Sequence, residues 1–544
     1  MSLTMYRNGS VYSAADPFAT AMLVDGDTVA WVGSEHAATS LLDSRMHEVD
    51  LDGTLITPGF VDSHVHVTET GLALDSVDLS GARSVATALD LLAAAARTTP
   101  DTAGVLLGHG WDDSKWAEQR PLTAAEIDRA TGGREVYLAR VDVHSGVVSS
   151  ALAQRCGLQN LAGWDGGGLV SGAAHAAARD ASRLLDTAGR QRVQELALRH
   201  AAANGYVALA EMAAPHVGSA GDLAGLAELT AADAPEAFPE ILPYWGQAVS
   251  SAQEARELLA ALGTPVLGLA GDLNIDGSLG SHSALLGTPY ADAPGTSGQQ
   301  YLSVAQVADH LAATSELGIS GGFHIIGDGA MSIAAEGLAL AAERVGIDKV
   351  RAAGHRFEHA EMVDAAAMAA LAHHAVTVSV QPVFDALWGG GEGMYAQRLG
   401  ASRAANLNPL ARFYAAGVPI CFGSDSPVTP LNPWASVRAA LSHHQPEQRI
   451  SARAAFIGHT RAGWRAARHA NPMLGQLAPG APASFAVWEI EQLMVQVADE
   501  RVQSWSTDPR AGTPLLPALD TANDPRCLQT VHRGRVLHAA PEFG

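Results

Sequence analysis

Along most of the chain, short apolar runs alternate with longer stretches of helical period. The runs are "LITPGFVDSHVH", "VLLGHGWDD", "VYLARVDVHS", "YVALAEM", "EILPYWG", "VLGLAGDLNIDG", "SGGFHIIGD", "HRFEHAE", "VTVSVQP" and "PICFGSDSP". Each carries polar residues at its C-terminal end. Helical stretches such as "GRQRVQELALRHAAANG" (189–205) lie between them. Strands apolar on both faces and alternating with helices read as buried parallel strands in repeated βα units. The fold expected is α/β, a (β/α)8 barrel of the TIM type with insertions. Ten runs exceed the eight strands of such a barrel, so one or two belong to an insertion or pair outside it. The Gly-rich "GWDGGGLVSG" (163–172) is a candidate lid loop. A doubly wound open sheet ranks lower, because no Gly-rich phosphate fingerprint follows its first strand.

The two ends follow a different rhythm. Residues 5–33 alternate apolar and polar around Asn8-Gly9 and Asp25-Gly26, which reads as a β-meander. "ASFAVWEI" (483–490) and "LQTVHRGRVLHA" (528–539) alternate likewise, the latter around Arg533-Gly534. Neither end can build a core alone, so together they are expected to form one small composite β-sandwich; two separate appendages are the alternative. The division expected is residues 1–56 for the first part of the sandwich, 57–470 for the barrel with an inserted segment around 110–190, and 471–544 for the second part.

Composition narrows the function. With 47% apolar and 17% charged residues, the 544-residue chain has ample material for a core. A net charge of −23 argues against nucleic acid or an anionic membrane as partner. Three scattered cysteines imply no disulfide framework. No signal peptide and no membrane-spanning run are read, so a cytoplasmic location is expected.

In a parallel barrel the C-terminal strand ends share one mouth, and residues i and i+2 of a strand face the same side. His64 and His66 therefore face inward with Asp62. His324, His359 and Asp425 fall at further strand ends. A lone strand-end histidine is usually a hydrogen-bonded structural residue. Four histidines with a carboxylate at matched positions read as one site for zinc or a related divalent metal.

These segments resemble the amidohydrolase superfamily, within it the YtcJ-like branch that includes N-substituted formamide deformylase. "PGFVDSHVH" resembles the first-strand motif, "FHIIGDGA" the fifth-strand segment, "RFEHAE" the sixth, "VQP" the seventh and "GSDSPV" the eighth. "GHGWDD", "RVDVHS", "DGSLGSHSA" and "LGQLAPGAPASFAVW" match the branch, so the likeness spans nearly the whole chain. It implies metal-ligand roles for His64, His66, His324 and His359, and a general base, also at the metal, in Asp425. It leaves a homodimer open.

Two departures matter. Many relatives carry a carboxylated lysine that bridges two metals. This chain has two lysines only, Lys115 and Lys349, neither at a matching strand end. Aligning "GDLNIDGSLG" puts Asp272 at the lysine position, with Glu211 of "LAEM" as the alternative carboxylate. One or two ions are expected and no carboxylated lysine. Asp272 is read as strand-borne, on the parity opposite to Leu269 and Leu273. The second departure is Ser484, where the family usually has Asp, a structural position.

The expected reaction is hydrolysis of an amide-type C–N bond outside peptides, N-formyl or N-acyl among the candidates. Asp425 would orient water and carry its proton. His144 would polarise the carbonyl. Trp111, Asp112, Phe384 and Trp388 are candidate pocket residues. Arg140 and Arg356 are the cations in the strand-end motifs, and both read equally as partners of nearby carboxylates, which favours a small neutral or apolar amide. A deaminase, cyclic amidohydrolase or isomerase on the same scaffold stays open, as does a catalytically silent binding barrel.

Overall fold

The computed structural model describes residues 3–98, 104–496, 505–506, 514–520 and 523–543. Eight parallel strand positions make the barrel. They are Phe60–Val65, Tyr206–Ala213, Glu240–Ile241 continued by Tyr244–Trp245, Gly268–Leu269, Ser320–Ile325, Arg356–His359, Thr377–Val380 and Ile420–Phe422. The eighth returns to the first through a parallel bridge between Val65 and Ser426. Two backbone hydrogen bonds reinforce the closure. Asp425 N–H donates to the His64 carbonyl at 2.8 Å, and His66 N–H donates to the Ser426 carbonyl at 3.0 Å.

Eight of the ten apolar runs are these strands. The other two form Leu106–Trp111 and Val136–Arg140, in a separate sheet with Val77–Asp78, Ser145–Val148 and Leu169–Ser171. This sheet lies in an insert between the helix Val67–Leu74 and the helix Thr187–Ala203. The insert thus begins well before residue 110. Its own core holds Leu79, Leu92, Trp111, Trp116, Leu138 and Val147. The glycine-rich segment is not a free lid. Leu169–Ser171 pairs with Ser145–Val148, and Asp165 accepts hydrogen bonds from the Gly167, Gly168 and Leu169 amides. A short acidic turn therefore satisfies backbone donors that a mobile loop would leave to water.

The two ends meet in a sandwich. One sheet contains Leu3–Arg7, Ala21–Asp25, Thr28–Gly33 and His47–Asp50; the other joins Ser10–Val11 and Leu55–Pro58 to Phe485–Glu489, Arg526–His532 and Arg535–Ala539. Asn8-Gly9 links the two sheets rather than turning a hairpin. Arg533-Gly534 does turn one, both residues having positive φ, with His532 opposite Arg535. Alternation decides the faces. Phe485 and Val487 enter the sandwich core, with Phe485 edge-on to Tyr6 at 5.2 Å. Trp488 points the other way, against Phe60 and Trp434 of the barrel core. The strand Leu55–Pro58 is sandwich and Phe60–Val65 is barrel, so the chain crosses at Gly59. Residues 497–504 and 507–513, assigned by the sequence to the second sandwich part, lie outside the described residues. No helix among the described residues is long and apolar enough to cross a membrane.

The closure leaves room for no side chain at one point. A Cβ on Gly423 would lie 2.5 Å from the His64 backbone nitrogen and 2.8 Å from its Cβ. Both atoms belong to the barrel wall and have little freedom to move. Gly423→Ala is expected to lower the thermal unfolding midpoint and the bound-metal content together, read by calorimetry and elemental analysis. Normal metal content in that variant would show that the wall gives way without disturbing His64.

Candidate metal centre

The alternation of Phe60–Val65 sends Val61 and Ser63 outward against Gly463, and Asp62 and His64 inward. His66 follows at the strand end. Asp62 accepts the His64 amide at 3.1 Å and the Ser424 amide at 2.9 Å, tying the first strand to the eighth beneath the site. His64 Nε2 then lies 3.4 Å from both Asp272 Oδ1 and Asp425 Oδ1. His66 Nε2 lies 3.3 Å from Asp272 Oδ2 and from Asp425 Oδ1. The ring of His359 sits 5.0 Å from that of His64 and 4.4 Å from that of His324. Two ligand sets emerge, His64–His66–Asp425 and His64–Asp272–His359, each with donor atoms within 4.8 Å of one another. Five of the six residues expected at the metal fall in these sets; His324 lies in neither, its ring packed beside that of His359.

Neighbours fix which nitrogen each imidazole presents. His64 Nδ1–H donates to Glu358 at 2.9 Å. Glu358 is held in turn by the buried Arg356 through two hydrogen bonds of 2.6 and 2.9 Å. Burial acts to raise the Glu358 carboxyl, but Arg356 and His64 outweigh it and bring it to about 2. Arg356 also lies over the Tyr244 ring at 4.5 Å. His359 Nδ1 meets the Gln381 amide oxygen at 2.8 Å. In both histidines Nε2 is left for a metal, the arrangement typical of histidine ligands. Burial lowers His324 to about 4 and His359 to about 3, so both are neutral, the form that ligates.

The donor set fits a divalent ion on its own terms. His64 Nε2, Asp272 Oδ1 and His324 Nδ1 are buried without a hydrogen-bond partner. Unpaired buried polar atoms are costly; the first two face each other at 3.4 Å within the cluster, whereas His324 Nδ1 turns to Asp276 Oδ1 at 3.7 Å. Two carboxylates and four imidazoles suit zinc-like chemistry.

Asp272 reaches the site by a route other than strand parity. The fourth strand ends at Leu269, and Asp272 lies in the bend beyond it. Glu211 is placed differently: its carboxylate accepts the Val67 amide at 2.7 Å, at the start of the helix after His66. Lys115 pairs with Asp112 at 3.3 Å in the insert, and Lys349 is exposed on the helix Ile347–Ala353. Ser484 bonds His532 and the Arg533 amide, a structural role in the sandwich.

A cavity of about 570 Å³ opens over the cluster. His66, Asp272, His324, His359 and Asp425 form its floor, and Phe384, Trp388, Met394 and Val428 its apolar wall. Phe384 stacks on His359 at 6.0 Å and touches Trp388 at 4.8 Å. His144 projects from the turn between Val136–Arg140 and Ser145–Val148, its ring 5.8 Å from that of His324. Trp111 and Asp112 are not in this lining. Trp111 is buried in the insert core and donates to the Leu138 carbonyl at 3.0 Å. Asp112, with Asp113 and Asp142, neutralises the buried Arg140. A buried guanidinium needs such partners, and this requirement takes Asp112 out of the pocket.

Sequence reasoning did not single out Glu358, Gln381, Glu361, Asp276 or Asp142. All five lie inside quoted motifs, Glu358 and Glu361 in "RFEHAE", Gln381 in "VQP", Asp142 in "RVDVHS" and Asp276 in "DGSLGSHSA", which was the available signal. Asp276 accepts three amides, from Leu285, Ile326 and Gly327, and pins the loop after the fourth strand to the fifth. Asp142 accepts from Ser278 and Ser281, pinning the same loop to the insert.

Residues 47–538 match the amidohydrolase family. The chain belongs to that family. It is 26% identical to the putative amidohydrolase YtcJ of Bacillus subtilis over 465 residues, covering 78% of this chain and 81% of the relative. It is 26% identical to the protein LONG AFTER FAR-RED 3 of Arabidopsis thaliana over 526 residues, covering 89% and 86%. N-substituted formamide deformylase of Arthrobacter pascens matches over 153 residues at 28% identity, covering 28% of each chain. An uncharacterized metal-dependent hydrolase from Pyrococcus horikoshii shares the fold, with TM-score 0.70, 23% identity and coverage of 90% and 98%. The chain is thus a member of a hydrolase family whose fold neighbours include metal-dependent enzymes.

Purified protein is expected to carry about one or two equivalents of divalent metal, and His64→Ala with His66→Ala to lose it. Full occupancy in the double variant would remove the site. Asp272→Ala should weaken metal binding more than Lys115→Ala, by equilibrium dialysis. Reconstitution of the metal-free protein should be indifferent to bicarbonate, since the lysine that could react is paired with Asp112 or exposed. A bicarbonate requirement would reinstate a carbamate bridge.

Proposed function

We propose that the chain hydrolyses a C–N bond of the amide type, N-formyl or N-acyl, with zinc as the metal. One observation carries this reading: Asp425 approaches both first-strand histidines and also lines the open cavity. A carboxylate so placed serves the metal and faces substrate at once. The formamide deformylase relative supports a formyl or similar acyl group. An ion at this site supplies Lewis acidity and brings the pKa of water towards about 7.

The chain's own groups do the rest. His64 and His66 hold the Asp425 carboxyl well below the usual carboxylate range against the push of burial, so it is ionised at neutral pH. Ionised, it orients water over the amide carbon and accepts its proton. The C–O bond forms first and the carbonyl oxygen takes up the charge; Asp425 then hands the proton to the nitrogen, and the C–N bond breaks as the carbonyl re-forms. His144 is positioned to donate to the carbonyl oxygen as it gains charge. Burial pushes Glu361 up to about 8, which keeps it a neutral acid in the cavity wall, able to donate a hydrogen bond to substrate. Phe384, Trp388 and Met394 offer an apolar seat that excludes water and orients the acyl or nitrogen substituent.

Asp425→Asn is expected to retain the fold and most of the metal. Its turnover should fall by about 10²-fold or more across a panel of N-formyl, N-acyl and cyclic amides, as for loss of a positioned proton acceptor. Near-native turnover would take Asp425 out of the proton path. Hydrolysis confined to cyclic amides would move the reading to a cyclic amidohydrolase.

A further inference from the structure

A second, larger cavity of about 1590 Å³ opens from the same cluster. The two cavities share His66, Val143, His144 and Asp272 in their linings. Their characters differ. The first is walled by aromatic and aliphatic side chains. The second runs under the insert, where the helix Gly172–Ser182 and the residue after it contribute Arg179 and Arg183.

These arginines are incompletely neutralised. Arg183 pairs with Glu69, which takes up one positive charge. Arg179 donates to the His216 carbonyl, and its buried Nε has no hydrogen-bond partner. Its nearest carboxylate is Asp180 at 3.7 Å, and that side chain is 73% exposed. An exposed partner at that distance is screened by water and offsets little. Asp272 is the other carboxylate in the lining, and it belongs to the metal cluster. One guanidinium charge is left facing the cavity. The neighbouring His175 is lowered to about 3, by burial first and then by the charges of Arg179 and Arg183. His175 also donates to or accepts from the Tyr137 hydroxyl at 2.8 Å, so its ring is fixed.

The remainder of the wall is polar, with Asn274, Ser281, Ser283 and Gln299. A substrate lying across the metal would place one end on Phe384 and Trp388 and the other under Arg179. We infer that the substrate is an acidic amide, whose carboxylate is bound at Arg179 and Arg183 while its apolar group fills the aromatic wall. This rests on the amide-hydrolase reading and replaces the neutral amide expected from the sequence. That expectation counted cations in the strand-end motifs alone. Arg140 and Arg356 are indeed consumed by carboxylates, but Arg179 and Arg183 come from the insert, outside those motifs.

The probes are N-formylphenylalanine and its neutral carboxamide, N-formylphenylalaninamide, offered to the zinc-loaded chain. Calorimetry reads affinity and steady-state kinetics reads kcat and KM. The acid is expected to bind about tenfold or more tightly, as charge-assisted pairing with arginine predicts, with the difference in KM rather than kcat. Arg179→Gln should reduce the acid-to-amide ratio to near unity, whereas Arg179→Lys, which keeps the charge, should retain a preference. A purely structural Arg179, serving only to hold the His216 loop, would change both ligands alike and leave the ratio intact. A preference that survives Arg179→Gln would put the carboxylate on the metal cluster and overturn the inference. Equal or absent binding of the acid by the native chain would overturn it too. Tight acid binding that depends on Arg179, without hydrolysis of either probe, would sustain the anion site and count against the amide reading instead.

Discussion

The barrel closes on hydrogen bonds made by the residues that carry its chemistry. The His64 carbonyl accepts the Asp425 amide, and the His66 amide donates to Ser426. Parallel strands cannot close a barrel without such a seam. Here the seam lies at the mouth, so the position of three candidate metal ligands follows from the closure itself. Asp62 repeats the link one layer lower, by accepting an amide from each strand. Two residues of the cluster also have strained backbone. Asp425 and His359 have φ of 56° and 66°, values that non-glycine residues adopt at a cost of about 1–3 kcal/mol each. Closure and burial hold them there, and the result is that both side chains turn into the mouth.

The second constraint is charge in a dry interior. Asp62, His64, Glu358, Arg356 and Asp425 are all buried. Such a set is tolerable only when each charge has a partner and each remaining donor or acceptor a bond. The chain Arg356–Glu358–His64 meets that requirement on the side away from the cavity. It also forces His64 to present Nε2 to Asp272 and Asp425. On the cavity side the carboxylates exceed what protein hydrogen bonds satisfy, a balance that a divalent cation would complete.

The insert decides what can reach the cluster. It is a sheet with its own core, anchored over the barrel by Asp142 to the loop after the fourth strand. From this platform it contributes His144 to both cavities and Arg179 and Arg183 to the larger one. The barrel supplies the candidate metal ligands and the aromatic wall. The candidate cluster sits where two cavities meet, one walled by apolar side chains and one lined by polar and charged ones, Arg179 and Arg183 among them.

The sequence by itself determined the parts whose chemistry is local. Parallel strands buried on both faces must be apolar throughout, so the barrel strands stood out as runs. Two-residue alternation marked the sandwich strands and placed His64 with His66. Residue type then named the metal site, because imidazole and carboxylate at successive strand ends have few other uses in such number. What only the tertiary structure decided depended on contacts between segments far apart in the chain. Strand-like runs in the insert, "VLLGHGWDD" and "VYLARVDVHS", are as apolar as barrel strands, since a small α/β sheet buries its strands in the same way. Asp272 arrived from a bend, not a strand, because the fourth strand stops at Leu269. Trp111 and Asp112 went to the insert core and to Arg140, as large aromatic area and a buried guanidinium each demand partners that spacing alone does not reveal. Arg179 lies on an ordinary helix and Arg183 just after it. Only the folding of the insert over the barrel mouth turned that helix's charge towards the substrate cavity.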